Sequence, residues 1–295
     1  MALLKPGDTT IYFFLRSLLL ISRVLPDSFT YRFGEIFGWL IFKFSPRKRV
    51  IVADNLKQAL GKNRFQPEMV RRNLMRLGRT LGEFFLLPGW KEKKFADKVE
   101  FWGLDNLKKA YAENKGVIMA GGHIGNWELK LISIGKKGYP VHSIIKEQKL
   151  LRTDKLINQL RENLGLGLIF QKGLGLREVF QVLKRGEVLL VMMDEYAGAR
   201  GEKVNFCGRT TPTFPGAAVL SQKFSCPLLP VAIRYLPHDR HLVVIKEPIV
   251  TEGRTVQEIL EELNEHLAEE IRNDPTAWLA LRPRWRERRA KAVKS

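Results

Sequence analysis

The sequence lacks the patterns that mark most common catalytic centres. Its 295 residues include two cysteines, Cys207 and Cys226. Two are too few for a disulfide framework and they form no CxxC pair, which points to a reducing compartment. There is no G-x-S-x-G elbow, so the usual serine-hydrolase nucleophile is missing. There is no G-x-x-x-x-G-K-[ST] loop and no G-x-G-x-x-G, which removes the common phosphate cradles. H-E-x-x-H and paired CxxC spacings are absent too, so no metal and no bound cofactor are expected. A spanning helix calls for about 18 to 20 uninterrupted apolar residues, and no such run exists. Ile11 to Leu25 (IYFFLRSLLLISRVL) is broken by Arg16 and Arg23, and Phe33 to Phe44 (FGEIFGWLIFKF) by Glu35 and Lys43. No small-residue cleavage site follows the first run, so a signal peptide is a poor fit.

Positive charge is abundant. Fifty Lys and Arg face 31 Asp and Glu, a formal net charge of +19. Such a balance implies an anionic partner: nucleic acid, an anionic membrane surface or an acidic carrier protein. No recognised nucleic-acid fold signature is present, aromatics are not regularly interleaved with the basic clusters, and acidic residues are spread throughout, which argues against nucleic acid. Aromatic and basic residues mixed into the two N-terminal apolar runs suit helices lying in a membrane interface. Core helices are the alternative. The SPRKRV stretch at Ser45 to Val50 favours the interface, where positive charge meets anionic lipid.

The chain reads as α/β: a single layered domain with a largely parallel mixed sheet flanked by helices, preceded by N-terminal membrane-associating helices. Residues 1–45 form the apolar N-terminal part. Residues 46–281 form the α/β domain, with a helical lead-in to about residue 90 marked by apolar positions such as Leu56, Leu60, Met69, Leu74, Leu77, Leu81 and Phe84 at mostly three- and four-residue spacings. Residues 282–295 form a basic tail. Short apolar runs at Val117–Ala120, Val141–Ile145, Leu166–Phe170, Val188–Met193, Leu228–Ile233 and Leu242–Ile245 predict strands. Helical segments at Glu128–Ile134, Leu151–Asn163, Leu176–Lys184 and Ala217–Phe224 separate most of them, an alternation that favours parallel pairing. Thr255 to Arg272 predicts an amphipathic helix with a threonine at its start.

The stretch with chemical content is GGHIGNWELK, Gly121 to Lys130. It follows a predicted strand, and the carboxyl edge of such strands is where open α/β sheets place their ligands. Asn126 suits the cap of a helix starting near Trp127. Five positions along a regular helix amount to about 500°, or about 140° off one face. His123 and Glu128 therefore meet only if His123 precedes the helix and Gly125 turns the chain back. In that arrangement the carboxylate orients one ring nitrogen and frees the other as a base, without a protein nucleophile. Such a dyad suits acyl transfer from a thioester to a substrate hydroxyl. An incidental histidine beside a surface glutamate is the alternative reading.

HIGNWE resembles the H-x4-D/E motif of the glycerolipid acyltransferase superfamily, and GGHIGNWE is similar to its lipid A biosynthesis branch, the late lauroyl/myristoyl transferases. Gly167–Lys172 resembles the second superfamily block and Met193–Tyr196 the acidic third. Thr213–Ala218 with Cys226–Val231 is similar to the last. The resemblance runs over roughly residues 5 to 285. It implies that His123 is the general base and Glu128 its orienting acid, with Glu195 as a competing acid that contacts the acceptor or orients the base. It implies that Lys146, Arg161 and Lys172 bind an acceptor phosphate or the phosphopantetheine of a carrier; solvated surface charge is the alternative for each. Gly122 and Asn126 belong to the same substrate-binding set, and a backbone N–H near Gly122 or one of these cations would steady the oxyanion. The implied reaction moves a fatty acyl chain from an acyl thioester, with acyl carrier protein as donor, to a lipid A precursor hydroxyl. The implied place is the cytoplasmic face of a bacterial inner membrane, with anionic lipids as a second partner. The acyl thioester is a co-substrate, not a cofactor. Two departures bear on the acceptor: Lys146 stands where the branch often has arginine, and Ala280 and Arg282 stand near positions where it has an aromatic and a histidine. A lysophospholipid or a glycosylated phosphoinositide is the alternative acceptor, and a non-enzymatic basic surface protein the remote one.

Overall fold

A computed structural model describes residues 7–171 and 175–285. Two N-terminal helices, α1 (Asp8–Ile21) and α2 (Asp27–Phe44), are followed by α3 (Pro46–Leu60) and α4 (Glu68–Leu86). The alternating part then runs α5 (Glu92–Lys98), β1 (Val99–Trp102), α6 (Leu104–Ala112), β2 (Val117–Gly121), α7 (Trp127–Lys136), β3 (Val141–Ile145), α8 (Leu151–Asn163), β4 (Gly167–Phe170), α9 (Gly175–Lys184) and β5 (Val188–Met192). A hairpin, β6 (Glu202–Phe206) and β7 (Arg209–Thr213), precedes α10 (Gly216–Phe224), β8 (Leu228–Leu236), β9 (Arg240–Ile245) and α11 (Val256–Asn273).

Seven strands form one sheet in the order β1-β9-β8-β2-β5-β3-β4. All neighbours are parallel except β8 and β9. The expected α/β class with a largely parallel mixed sheet is thus what forms. Strand β2 is buried along its whole length, because helices cover both faces. Alternation splits its side chains: Ile118 and Ala120 join one core cluster, Val117 and Met119 the other. Strand β5 divides likewise, with Leu189 and Val191 opposite Val188 and Leu190. Each Val, Leu, Ile or Met among them contributes about 1.5 to 3 kcal/mol on burial, and burial on both faces is why these strands read as continuous apolar runs rather than alternating ones. Helix α11 starts with a full capping box: Glu258 N–H donates to Thr255 Oγ1 at 3.2 Å and Thr255 N–H donates to Glu258 Oε2 at 2.7 Å.

The N-terminal helices pack on one side only. Helix α2 crosses α4 at backbone distance, and a Cβ added at Gly78 would sit 2.0 Å from Gly34 O. Helix α1 is fastened to α8 by Asp8, whose carboxylate accepts Arg152 N–H at 2.9 Å, Thr153 N–H at 3.1 Å and the Thr153 hydroxyl at 2.9 Å. The opposite faces expose Phe13, Phe14, Leu20 and Ile21 on α1, and Phe29, Phe33, Ile36 and Phe37 on α2. Among the described residues no helix is long and apolar enough to cross a membrane. Of residues 282–285, expected to begin a tail, Arg284 at 1% and Trp285 at 8% exposure are buried, while Arg282 is exposed. The rest of that tail lies outside the described residues.

Candidate active site

The parallel pairing of β2 and β5 builds the site. Their register sets Gly121 opposite Met192, and Met193 N–H donates to Gly121 O at 2.9 Å just beyond. Two residues further along each strand, the same offset brings His123 beside Asp194. The ring Nδ1 lies 2.8 Å from Asp194 Oδ1, and His123 N–H donates to Asp194 Oδ2 at 3.1 Å. Trp278 Nε1–H completes the set by donating to Oδ2 at 3.0 Å. With the proton on Nδ1, Nε2 is left as the basic nitrogen, and among the described residues it has no hydrogen-bond partner. The imidazole is 23% exposed while Asp194 is 2% exposed, so the ring faces outward from a buried anchor. Trp127 packs edge-on against it at 5.5 Å.

The electrostatics follow from this contact. Burial penalises the Asp194 carboxylate, but the His123 charge, the His123 hydrogen bonds and the Trp278 donor outweigh it and hold its pKa down to about 2. Burial likewise disfavours the His123 imidazolium, and here the Asp194 charge and hydrogen bond win, leaving the pKa above the ordinary histidine value. A second cation sits beneath the loop. Lys130 is fully buried, its Nζ donates to Gly122 O at 3.3 Å, and burial pulls its pKa down to about 8 against the pull of Asp194 and Glu270.

The expected pairing of His123 with Glu128 does not form. Gly125 does turn the chain, with φ at +63°, and Asn126 caps α7 by accepting Leu129 N–H at 3.0 Å. The helix nonetheless points Glu128 away, toward α8, where Arg161 takes both its oxygens, Nε at 3.1 Å and Nη2 at 2.5 Å. Arg161 is therefore already paired and also donates to Asn158 Oδ1 at 3.0 Å. Glu195 does not reach the ring either; its carboxylate accepts Arg282 Nη1 at 2.9 and 3.2 Å on the surface. The acid on His123 is Asp194, which neighbours Glu195 in the sequence but faces inward. Lys146 is exposed on a cleft of about 1170 Å³ at the carboxyl ends of β3 and β4, shared with Lys149, Lys155, Arg200 and Phe214. Lys172 lies outside the described residues. Gly122 is buried beside the pair and offers its carbonyl inward to Lys130. Asn126 is wholly buried, and its Nδ2 donates at 2.8 Å to Oε2 of Glu83. Glu83 is itself fully buried, which raises its pKa to about 7 despite Arg79 and Asn126.

Sequence reading missed Asp194, Lys130, Glu83 and Trp278. Asp194 carried a signal, an acid directly after a predicted strand adjacent to the one ending at His123, but pattern alone does not tell which of two adjacent acids turns inward. Glu83 and Trp278 lie far from His123 along the chain, and only tertiary packing brings them to the loop; Lys130 lies in the same stretch, but its burial beneath Gly122 depends on that packing too.

Comparison with known proteins bears on what this arrangement does. A model of the bacterial lipid A biosynthesis acyltransferase family matches residues 2–287. A phosphatidylinositol mannoside acyltransferase of Mycobacterium tuberculosis (strain CDC 1551 / Oshkosh) is 25% identical over 274 residues, covering 84% of this chain and 86% of the relative. The lipid A biosynthesis lauroyltransferase of Escherichia coli (strain K12) is 25% identical over 230 residues, 76% of this chain and 74% of the relative. The palmitoleoyltransferase of the same organism is 23% identical over 265 residues, 86% and 84% respectively.

Proposed function

Since the chain belongs to the bacterial lipid A biosynthesis acyltransferase family and is an acyltransferase for lipid A or a related glycolipid, we propose that His123 and Asp194 carry the transfer of a fatty acyl chain from a carrier thioester to a lipid A precursor hydroxyl. The observation that carries this reading is the 2.8 Å contact of His123 Nδ1 with a buried carboxylate, with Nε2 unengaged. Nε2 removes the proton of the acceptor hydroxyl as its oxygen attacks the thioester carbonyl. The imidazolium is held by Asp194 while the tetrahedral adduct forms. Collapse breaks the C–S bond, and the imidazolium returns the proton to the departing thiolate. The products are the ester and the free carrier thiol, so no external reductant, oxidant, metal or cofactor enters the balance. His123 N–H is committed to Asp194, so the oxyanion donor is another group, such as an N–H in the first turn of α7.

Glu128 acts in this scheme through Arg161, tying the first turn of α7 to α8. The acyl carrier protein is the donor, drawn by the excess positive charge, and Lys146 and Lys172 take phosphate groups of donor or acceptor. The protein lies on the cytoplasmic face of a bacterial inner membrane, with the exposed apolar faces of α1 and α2 in the interface and Lys43, Arg47 and Arg49 against anionic headgroups. A mannosylated phosphoinositide is the second acceptor to consider, because relatives carrying that activity match at the same identity as the lauroyltransferase.

The deciding test is transfer of radiolabelled acyl chain by the purified His123→Ala variant. Loss of transfer with an unchanged melting temperature is expected, and near-normal transfer would end the assignment. Mass spectrometry of lipids from a deletion strain separates the acceptors: under-acylated lipid A is expected, and loss of an acylated phosphoinositide instead would select the second.

A further inference from the structure

The segment after α11, residues 274–285, is bound along its length on two sides. Toward the site it bridges the catalytic loop, Ile124 opposite Trp278, with Leu279 N–H donating to His123 O at 2.8 Å and Gly125 N–H to Ala277 O at 3.0 Å. Toward the helical layer two buried asparagines grip it. Asn73 Nδ2 donates to Trp278 O at 2.6 Å and Thr276 O at 3.2 Å. Asn55 Nδ2 donates to Ala280 O at 2.9 Å and Arg282 O at 2.7 Å, and its Oδ1 accepts Arg284 N–H at 3.0 Å. The buried Arg284 guanidinium then fastens the end of the strap to the β6–β7 hairpin, through Thr211 Oγ1 at 3.1 Å, Pro212 O at 2.8 Å and Thr213 Oγ1 at 2.7 Å.

Trp278 sits at the centre of this strap, 2% exposed, with its indole N–H on Asp194 Oδ2. The bond is not a general consequence of burying tryptophan here, because the buried indole nitrogens of Trp90 and Trp285 have no partner among the described residues. An aspartate χ2 is broad and weakly set by its own rotamer. The plane of the Asp194 carboxylate is therefore set by its donors. Two of them, His123 N–H and Trp278 Nε1–H, hold Oδ2 and leave Oδ1 directed at His123 Nδ1.

We propose that the C-terminal strap belongs to the acyl-transfer machinery, with Trp278 a positioning residue that fixes Asp194 and, through it, the tautomer and orientation of His123. This rests on the reading of His123 and Asp194 given above. Trp278 touches no reacting atom, so its removal acts on kcat and spares substrate binding.

The test uses the full-length enzyme with Trp278→Phe, which keeps a large ring and deletes the donor. The expected result is a kcat about 10- to 100-fold lower, the scale of one lost hydrogen bond to a charged group, with KM for donor and acceptor within about twofold. In the ring-15N-labelled protein, the downfield proton resonance of His123 Nδ1–H is expected to broaden or disappear. Asn73→Ala, which loosens the strap from the α4 side, is expected to give the same kcat-only loss. A Trp278→Phe enzyme with kcat within about twofold of the parent and an intact resonance overturns the proposal. If that variant does not fold, Asn73→Ala with unchanged kcat and resonance overturns it. Transfer surviving His123→Ala would instead sink the base assignment, and the resonance would still report whether Trp278 orders the ring.

Discussion

At the scale of single residues, the two acids near His123 have different jobs, and substitutions separate them. Asp194→Asn keeps the shape but loses the charge that stabilises the imidazolium. Its kcat should fall by about 10² to 10⁴, as for the orienting acid of a triad. The pH profile checks the cause. On the proposed mechanism the parent needs neutral His123, whose pKa lies above the ordinary histidine value. Its rate should therefore rise with pH through an apparent pKa above about 6.5. Without the Asp194 charge that limb should move to lower pH, and a limb that stays put would remove Asp194 from the role. Glu128→Ala removes the carboxylate from Arg161, which is 22% exposed and keeps only its Asn158 bond, so it should cost about 1 to 3 kcal/mol of stability in urea unfolding. Glu128→Gln, which keeps an acceptor for the guanidinium, should recover most of that. Equal stability of the two variants would deny the pair its structural role.

At the scale of elements, the crossing of α2 on α4 is the joint that seats the N-terminal helices. A Cβ at Gly78 meets the Gly34 carbonyl at 2.0 Å, and backbone cannot step aside as a flexible side chain can. Gly78→Val should therefore destabilise by about 1 to 3 kcal/mol or more, seen as a lower melting temperature, and an unchanged one would mean that the helices do not meet there. The most apolar of the strands that could be read from sequence share one physical property. Strands β2 and β5 are covered on both faces, so VIMA and VLLVM stand out as apolar runs. Strand β1 (VEFW) lies at the sheet edge and the hairpin strands EKVNF and RTTPT lie outside the sheet, where one face is wet and polar residues intrude. They carry no such run. Asn126 could be read as a cap because capping is local. The direction in which α7 points Glu128 could not, because it depends on α8 and Arg161.

At the scale of the whole molecule, charge and apolar surface fall together. The net charge of +19 and the exposed aromatic faces of α1 and α2 predict partition onto anionic vesicles that weakens with salt but does not vanish, since the apolar part is not screened. Replacing Phe13 and Phe37 by Asp should abolish the salt-resistant part in sedimentation assays, with a melting temperature close to the parent's because both side chains face outward. Salt-resistant binding that survives the double substitution would move the membrane contact elsewhere. Cation–π contacts of Lys43 with Trp39 at 5.1 Å and Phe44 at 5.4 Å show how charge and aromatic surface are interleaved on that face.

The strap also sets a schedule. All seven strands of the main sheet precede residue 246, whereas the donor that completes the Asp194 carboxylate is residue 278. During synthesis the sheet can close, and His123 can already lie beside Asp194, while the chain still lacks the segment that locks them. On the membrane reading proposed above, a growing chain whose N-terminal helices have met the bilayer would reach acceptor lipid before its active site is finished. On that proposal, catalytic competence arrives with residues 274–285, after the sheet has closed.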